Sequence, residues 1–151
     1  MLHARRTSVW KSTYEITADG RPIATWTGRA WKAGGRFELD GRPYEVSANA
    51  WGNRFEMSAV HGGPVASAER VGRKHWTVDA DGRTYRFRRA SLLSADQILL
   101  DGEREAGWIR KTSVWRSDAE ADLPGLSLPA QVFVLVVVLR MWEAAAAAAS
   151  A

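Results

Sequence analysis

Across residues 7–115 apolar and polar positions alternate in short stretches, and most stretches close on a turn signal. In Arg83-Thr84-Tyr85-Arg86-Phe87-Arg88, Tyr85 and Phe87 share one side of an extended chain and Arg86 and Arg88 the other, because successive strand side chains point to opposite faces. Tyr44-Glu45-Val46-Ser47 follows the same logic. The punctuation is Asp19-Gly20, Gly34-Gly35, Asp40-Gly41, Gly62-Gly63, Asp81-Gly82 and Asp101-Gly102, pairs that accept the backbone twist of a tight hairpin. About ten strands fit at the spacing of an all-β fold, and no helical period intervenes before Pro124. The pattern predicts a mainly β protein, a closed antiparallel barrel of about ten to twelve strands or a sandwich.

The pattern changes after Pro124. Val132-Phe133-Val134-Leu135-Val136-Val137-Val138-Leu139 is an unbroken apolar run closed by Arg140. Its valines favour a strand. Against that, Pro129 suits a first helical turn, and no turn signal interrupts the chain through Glu143 and the alanines at 144–149. We therefore expect a helix over about 129–149, about 30 Å long at 1.5 Å per residue. A helix apolar on every face must be enclosed on every face. No second helix is available, so the sheet has to wrap it. The expected organisation is one domain over 1–151: strands over about 7–117, a linker at 118–128 and the buried helix. A bilayer span needs roughly 20 mostly apolar residues; here Pro124, Pro129 and Gln131 bound the run on one side and Arg140 and Glu143 on the other.

Two repeats run through the chain. Asp40-Gly41-Arg42-Pro43-Tyr44 returns as Asp81-Gly82-Arg83-Thr84-Tyr85, and Arg6-Thr7-Ser8-Val9-Trp10-Lys11-Ser12 returns as Lys111-Thr112-Ser113-Val114-Trp115-Arg116-Ser117. Similar strands facing similar neighbours account for both, and a closed meander sets its first and last strands side by side.

Composition narrows the function classes. With 151 residues and 46% hydrophobic content, the chain builds one ordinary core. The absence of cysteine excludes disulfides, thiol catalysis and Cys-based metal sites. The eight tryptophans read as core and barrel wall. Residues 1–7 carry charge without an apolar run behind it, unlike a signal peptide, so a cytoplasmic location is expected. An Ala-, Arg- and Gly-rich composition poor in Lys and Asn suggests a GC-rich bacterial gene.

No nucleophile elbow, phosphate loop, dinucleotide fingerprint or zinc-protease motif occurs. His61-Gly62-Gly63-Pro64 reads as a hairpin turn, His75 stands beside Trp76, and His3 lies on an N-terminus expected to fray. The chain therefore reads as a non-enzyme without cofactor. Asp118, Glu120 and Asp122 alternate like the first ligands of a calcium loop. Leu123 and Pro129 then stand where such a loop needs glycine and glutamate. The main functional lead is residues 70–89, where Arg70, Arg73, Lys74, Arg83, Arg86, Arg88 and Arg89 face only Asp79 and Asp81. Such a stripe gains about 1 kcal/mol per cation near an anionic membrane. Its candidate contacts are Arg70, Arg73, Lys74, Arg86 and Arg88. The missing RNA-binding strand motif argues against nucleic acid.

Gly107-Trp108-Ile109-Arg110-Lys111, the acidic passage Ala119-Glu120-Ala121-Asp122-Leu123-Pro124 and the apolar residues 130–142 together resemble the tubby-like superfamily. That group contains the tubby C-terminal domain, LURP-one-related proteins and phospholipid scramblases. The resemblance implies a closed antiparallel barrel, twelve-stranded in family members, threaded by its C-terminal helix. It also implies phosphoinositide head-group binding as in tubby domains, and lends Asp118, Glu120 and Asp122 the calcium role proposed for the matching scramblase segment. The expected function is a binding or adaptor domain at an anionic membrane surface, peripheral to its inner face. The alternatives are a structural or protein-interaction domain whose partner is an unidentified protein, and a scramblase-like lipid transporter, against which Arg140 argues.

Overall fold

A computed structural model describes residues 1–8, 10–29, 33–113 and 118–151. It is a single meander of twelve antiparallel strands: β1 (Leu2–Arg6), β2 (Thr13–Ala18), β3 (Arg21–Gly28), β4 (Gly35–Leu39), β5 (Arg42–Ala48), β6 (Phe55–Ala59), β7 (Gly63–Glu69), β8 (His75–Ala80), β9 (Arg83–Ser91), β10 (Ser94–Asp101), β11 (Arg104–Lys111) and β12 (Ala119–Asp122). One helix, α1 (Leu128–Ala149), follows. Each strand pairs with its neighbours in sequence, and β1 pairs with β12 through Leu2↔Ala121, His3↔Glu120 and Ala4↔Ala119 to close the barrel.

The strands extend beyond the expected 7–117 at both ends. His3 is not on a frayed terminus but in β1, where Leu2 and Ala4 point inward. Residues 119–122, expected in a linker, form β12 with Ala119 and Ala121 buried. Alanine and acids have little strand propensity of their own; two ready neighbours supply the ladder that propensity does not. The closing hydrogen bonds also remove both sheet edges.

Three Asp-Gly pairs make the predicted turns, with positive φ at both residues: Asp19-Gly20 (49°, 82°), Asp40-Gly41 (51°, 75°) and Asp81-Gly82 (54°, 72°). This is the type I′ geometry whose twist suits a two-residue hairpin. Gly34-Gly35 is no turn. Gly35 opens β4, and a Cβ there would meet the Thr27 carbonyl and lie 2.6 Å from the buried Trp26 ring. The glycine lets two backbones close over an indole.

The helix fills the barrel. Residues 132–139 are at most 1% exposed, as an all-apolar helix requires. By length and composition α1 could cross a bilayer, with mean hydropathy 2.0; inside the barrel the strands cover it instead. Its start is fixed at one rim, where Asp81 accepts the Ser127 backbone N–H at 2.9 Å and its hydroxyl at 2.8 Å. Its far end leaves by the other rim, where the Trp142 indole donates to the Ala95 carbonyl at 2.8 Å. The rim of entry carries the five tight connections 19–20, 40–41, 60–62, 81–82 and 102–103. We call it the turn rim. The opposite loop rim carries 7–12, 29–34, 49–54, 70–74, 92–93 and 112–118.

Candidate anionic-ligand surface at the loop rim

The structure divides the basic residues predicted from sequence. Arg70, Arg73 and Lys74 sit exposed on the β7–β8 loop at the loop rim. Arg86 and Arg88 project from the outer face of β9, since Tyr85 and Phe87 point inward. Arg88 is committed to Glu105 at 2.7 Å and to the carbonyls of Arg89 and Ala90. Arg86 reaches away, donating to the Gly102 carbonyl at the turn rim at 2.7 Å, and Arg83 lies at that end too. Arg89, half-buried beside Lys74, joins the loop-rim group through its backbone N–H, which donates to the Lys74 carbonyl at 2.8 Å. Among the described residues, Arg70, Arg73, Lys74 and Arg89 have no acidic partner.

The loop rim also exposes large apolar side chains. Trp10 is 92% exposed, Trp51 86%, Leu92 86% and Leu93 100%. Not all tryptophans are core, then: Trp26, Trp76 and Trp142 are buried, while Trp10 and Trp51 stand on loops. Trp31 and Trp115 lie outside the described residues, as does most of the second copy of the Arg6–Ser12 repeat. The signal available in the sequence was Leu92-Leu93 between two serines, a hairpin tip holding leucines where Gly, Asn or Asp belongs. A turn that breaks its own chemistry marks a surface kept for something else.

Cations and apolar groups adjoin here. Trp51, Val71, Arg73, Arg89, Leu92 and Trp142 line one cleft of about 460 Å³. Lys74, His75, Arg88, Arg89 and Leu92 line a second of about 360 Å³ on the outer wall.

The connections at the two rims differ in charge. Among the described residues the loop-rim connections hold six lysines and arginines, Lys11, Arg29, Arg54, Arg70, Arg73 and Lys74, against one acid, Asp118. The five turn-rim connections hold no lysine or arginine and four acids, Asp19, Asp40, Asp81 and Glu103. Strand carboxylates offset part of the positive charge: Arg29 pairs with Glu45 at 3.2 Å and Arg54 with Glu56 at 3.0 Å. At the turn rim Arg21, Arg42, Arg83 and Arg104 open β3, β5, β9 and β11 beside those acids and offset them, so the excess of cations belongs to the loop rim alone and favours its approach to an anionic surface.

The three acids considered for calcium do not converge. Asp118 accepts the Arg6 backbone N–H at 3.0 Å. Glu120, on the outer face of β12, lies between His3 at 3.7 Å and Arg110 at 3.8 Å. Among the described residues no three His, Cys, Asp or Glu side chains form a group able to hold a metal. His61 sits in the three-residue connection between β6 and β7, the hairpin turn expected.

No family model, curated protein or solved structure matches the chain. The rim itself is therefore the ground for a functional reading.

Proposed function

We propose that the protein is a non-catalytic binding domain that docks its loop rim onto an anionic phospholipid surface. The observation that carries this reading is the coincidence, at one end of the barrel, of acid-free cations with exposed Trp and Leu. Tryptophan and leucine gain by entering the head-group layer, and neighbouring Lys and Arg gain from lipid phosphate at about 1 kcal/mol each. A barrel around a C-terminal helix is also the arrangement that the resemblance to the tubby-like superfamily implies. We propose with it that the protein is a bacterial member of that superfamily, located in the cytoplasm at the inner face of the membrane. The head-group residues now favoured are Arg70, Arg73, Lys74 and Arg89; Arg86 and Arg88 are engaged elsewhere.

The test is vesicle co-sedimentation at low and physiological salt. Binding is expected to anionic vesicles and not to neutral ones, weakened by salt. Arg73→Glu with Lys74→Glu should weaken it by about tenfold or more at about 1 kcal/mol per cation, whereas Arg86→Glu should change it little. Equal binding to neutral vesicles, or an unaffected double reversal, refutes the reading.

A second reading, a protein-interaction domain without lipid preference, draws on one other feature. β3 and β4 pair only at Thr27↔Arg36 and Gly28↔Gly35. Toward the turn rim they part over a groove of about 720 Å³ lined by Pro22, Ile23, Phe37 and Glu38. Pro22 has no N–H to offer β4. An extended peptide could add backbone hydrogen bonds there; co-sedimentation that failed with every vesicle would make this the leading reading.

A further inference from the structure

We propose that the 460 Å³ cleft at the loop rim binds the chain of a single anionic amphiphile, with a carboxylate or phosphate head on Arg73 and Arg89. The inference deepens the membrane reading and rests on it, in that the bilayer would supply the ligand to a cleft on the face turned toward it.

The cleft opens between the β5–β6 loop, the β7–β8 loop, the β9–β10 turn and the last turns of α1. Its size falls within the roughly 300–1,000 Å³ of small-molecule sites. Val71, Gln97 and Trp142 are buried at its floor. The polar atoms of that floor are already satisfied. The Trp142 indole donates to the Ala95 carbonyl at 2.8 Å. The Gln97 amide accepts from the Trp76 indole at 2.8 Å and donates to the Ala95 carbonyl at 2.9 Å. What the floor has left to offer is carbon, so a polar occupant would lose its hydration without replacement.

The walls continue that character outward. Met141, Ala144 and Ala145 of α1 line the same cleft as Trp51 and Leu92. These two side chains are otherwise given to water, and a chain lying between them and the helix would cover apolar surface on both sides. Arg73 and Arg89 belong to the same lining and have no acidic partner among the described residues. An occupant must therefore be apolar along its length and negative at one end. A nucleotide or sugar phosphate meets the second condition and fails the first; a neutral lipid does the reverse. The helix wall ties the site to the barrel interior, because Met141 and Trp142 directly follow the buried Arg140.

The experiment is titration calorimetry of the full chain with soluble probes below their micelle concentrations, in the absence of vesicles. Dodecanoate and dodecyl phosphate separate a fatty-acid head from a phospholipid-type head. Dodecyl maltoside and inorganic phosphate supply the chain and the anion alone. One-to-one binding of either anionic probe, at least about tenfold tighter than the maltoside, with no heat from phosphate, is the expected result. Ala145→Trp, at an exposed helix position, should fill the cleft and abolish that binding while vesicle co-sedimentation persists. Arg73→Ala should weaken it with the fold unchanged by circular dichroism. Equal binding of all alkyl probes, no binding of any, or binding untouched by both variants overturns the inference. Vesicle binding retained alongside any of these leaves the membrane reading standing, and its loss in the parent chain removes that reading separately.

Discussion

Arg140 places a guanidinium where the apolar helix leaves the barrel. Its Nε donates to the Ala33 carbonyl at 2.6 Å, its Nη2 to the carbonyls of Arg29 and Gly34 at 2.9 and 3.2 Å, and its Nη1 to Glu143 at 2.8 Å. Glu143 in turn accepts the hydroxyls of Ser12 at 2.7 Å and Tyr14 at 3.1 Å. One side chain thus fastens α1 to the β3–β4 loop and, through Glu143, to the β1–β2 hairpin. Arg140→Leu should cost about 3 kcal/mol, because it removes the cation from a partly buried carboxylate and a buried donor from the Ala33 and Arg29 carbonyls. The measurement is the urea midpoint. Arg140→Lys should recover little of the loss, since an ammonium cannot reproduce the planar fork. From the sequence Arg140 was visible only as the residue that ends an apolar run, because partners more than 100 positions away in the chain leave no local trace. The tryptophans teach the same lesson. Trp26 occupies an inward strand position and Trp51 a loop, and the two differ in burial by almost their whole surface.

Among the elements, the β9–β10 hairpin is where folding and function can be separated. Leu92 and Leu93 form its two-residue tip, and neither takes a positive φ. Replacing the pair by Asn-Ser supplies turn residues that need no positive φ and removes the exposed apolar tip. The expected outcome is a thermal midpoint equal to or above that of the parent, together with weakened binding to anionic vesicles, read by co-sedimentation. A fall in both would mean that the leucines serve the fold. Alternation with Asp-Gly turns made β5, β8 and β9 legible, because both signals are local. β1 and β12 were harder. Leu2-His3-Ala4-Arg5-Arg6 and Ala119-Glu120-Ala121-Asp122 alternate correctly but are short and poor in β-branched residues, and each is held by pairing with the other.

The whole molecule depends on the match between helix and barrel. Residues 132–139 touch no solvent beyond 1% exposure, so Val136→Asp would bury an unpaired carboxylate. We expect loss of the folded state, seen as aggregation or a collapsed circular dichroism spectrum, since this is among the costliest single changes. A soluble, monomeric Val136→Asp barrel would show that the strands fold without the helix inside. At this scale the contrast between the connections of the two rims also emerges. The meander alternates direction, so connections of odd order fall at one rim and even at the other. Tight acidic turns collect at one end and long basic loops at the other.

The class of fold was legible in the chain: period-two alternation, Asp-Gly turns and an apolar run without a helical stripe admit few arrangements other than a barrel around a helix. These are local signals, and the hydrophobic effect converts them into architecture because an all-apolar helix has nowhere else to go. The tertiary structure decided which surface is free to act. It committed Arg88 to Glu105 and turned Arg86 toward Gly102. It left Arg73, Lys74 and Arg89 without acids beside Trp51 and Leu92, among the described residues. Arg88 and Glu105, 17 residues apart, meet across β10 because the pairing of three strands sets their register, and register is a property of the sheet rather than of any one strand.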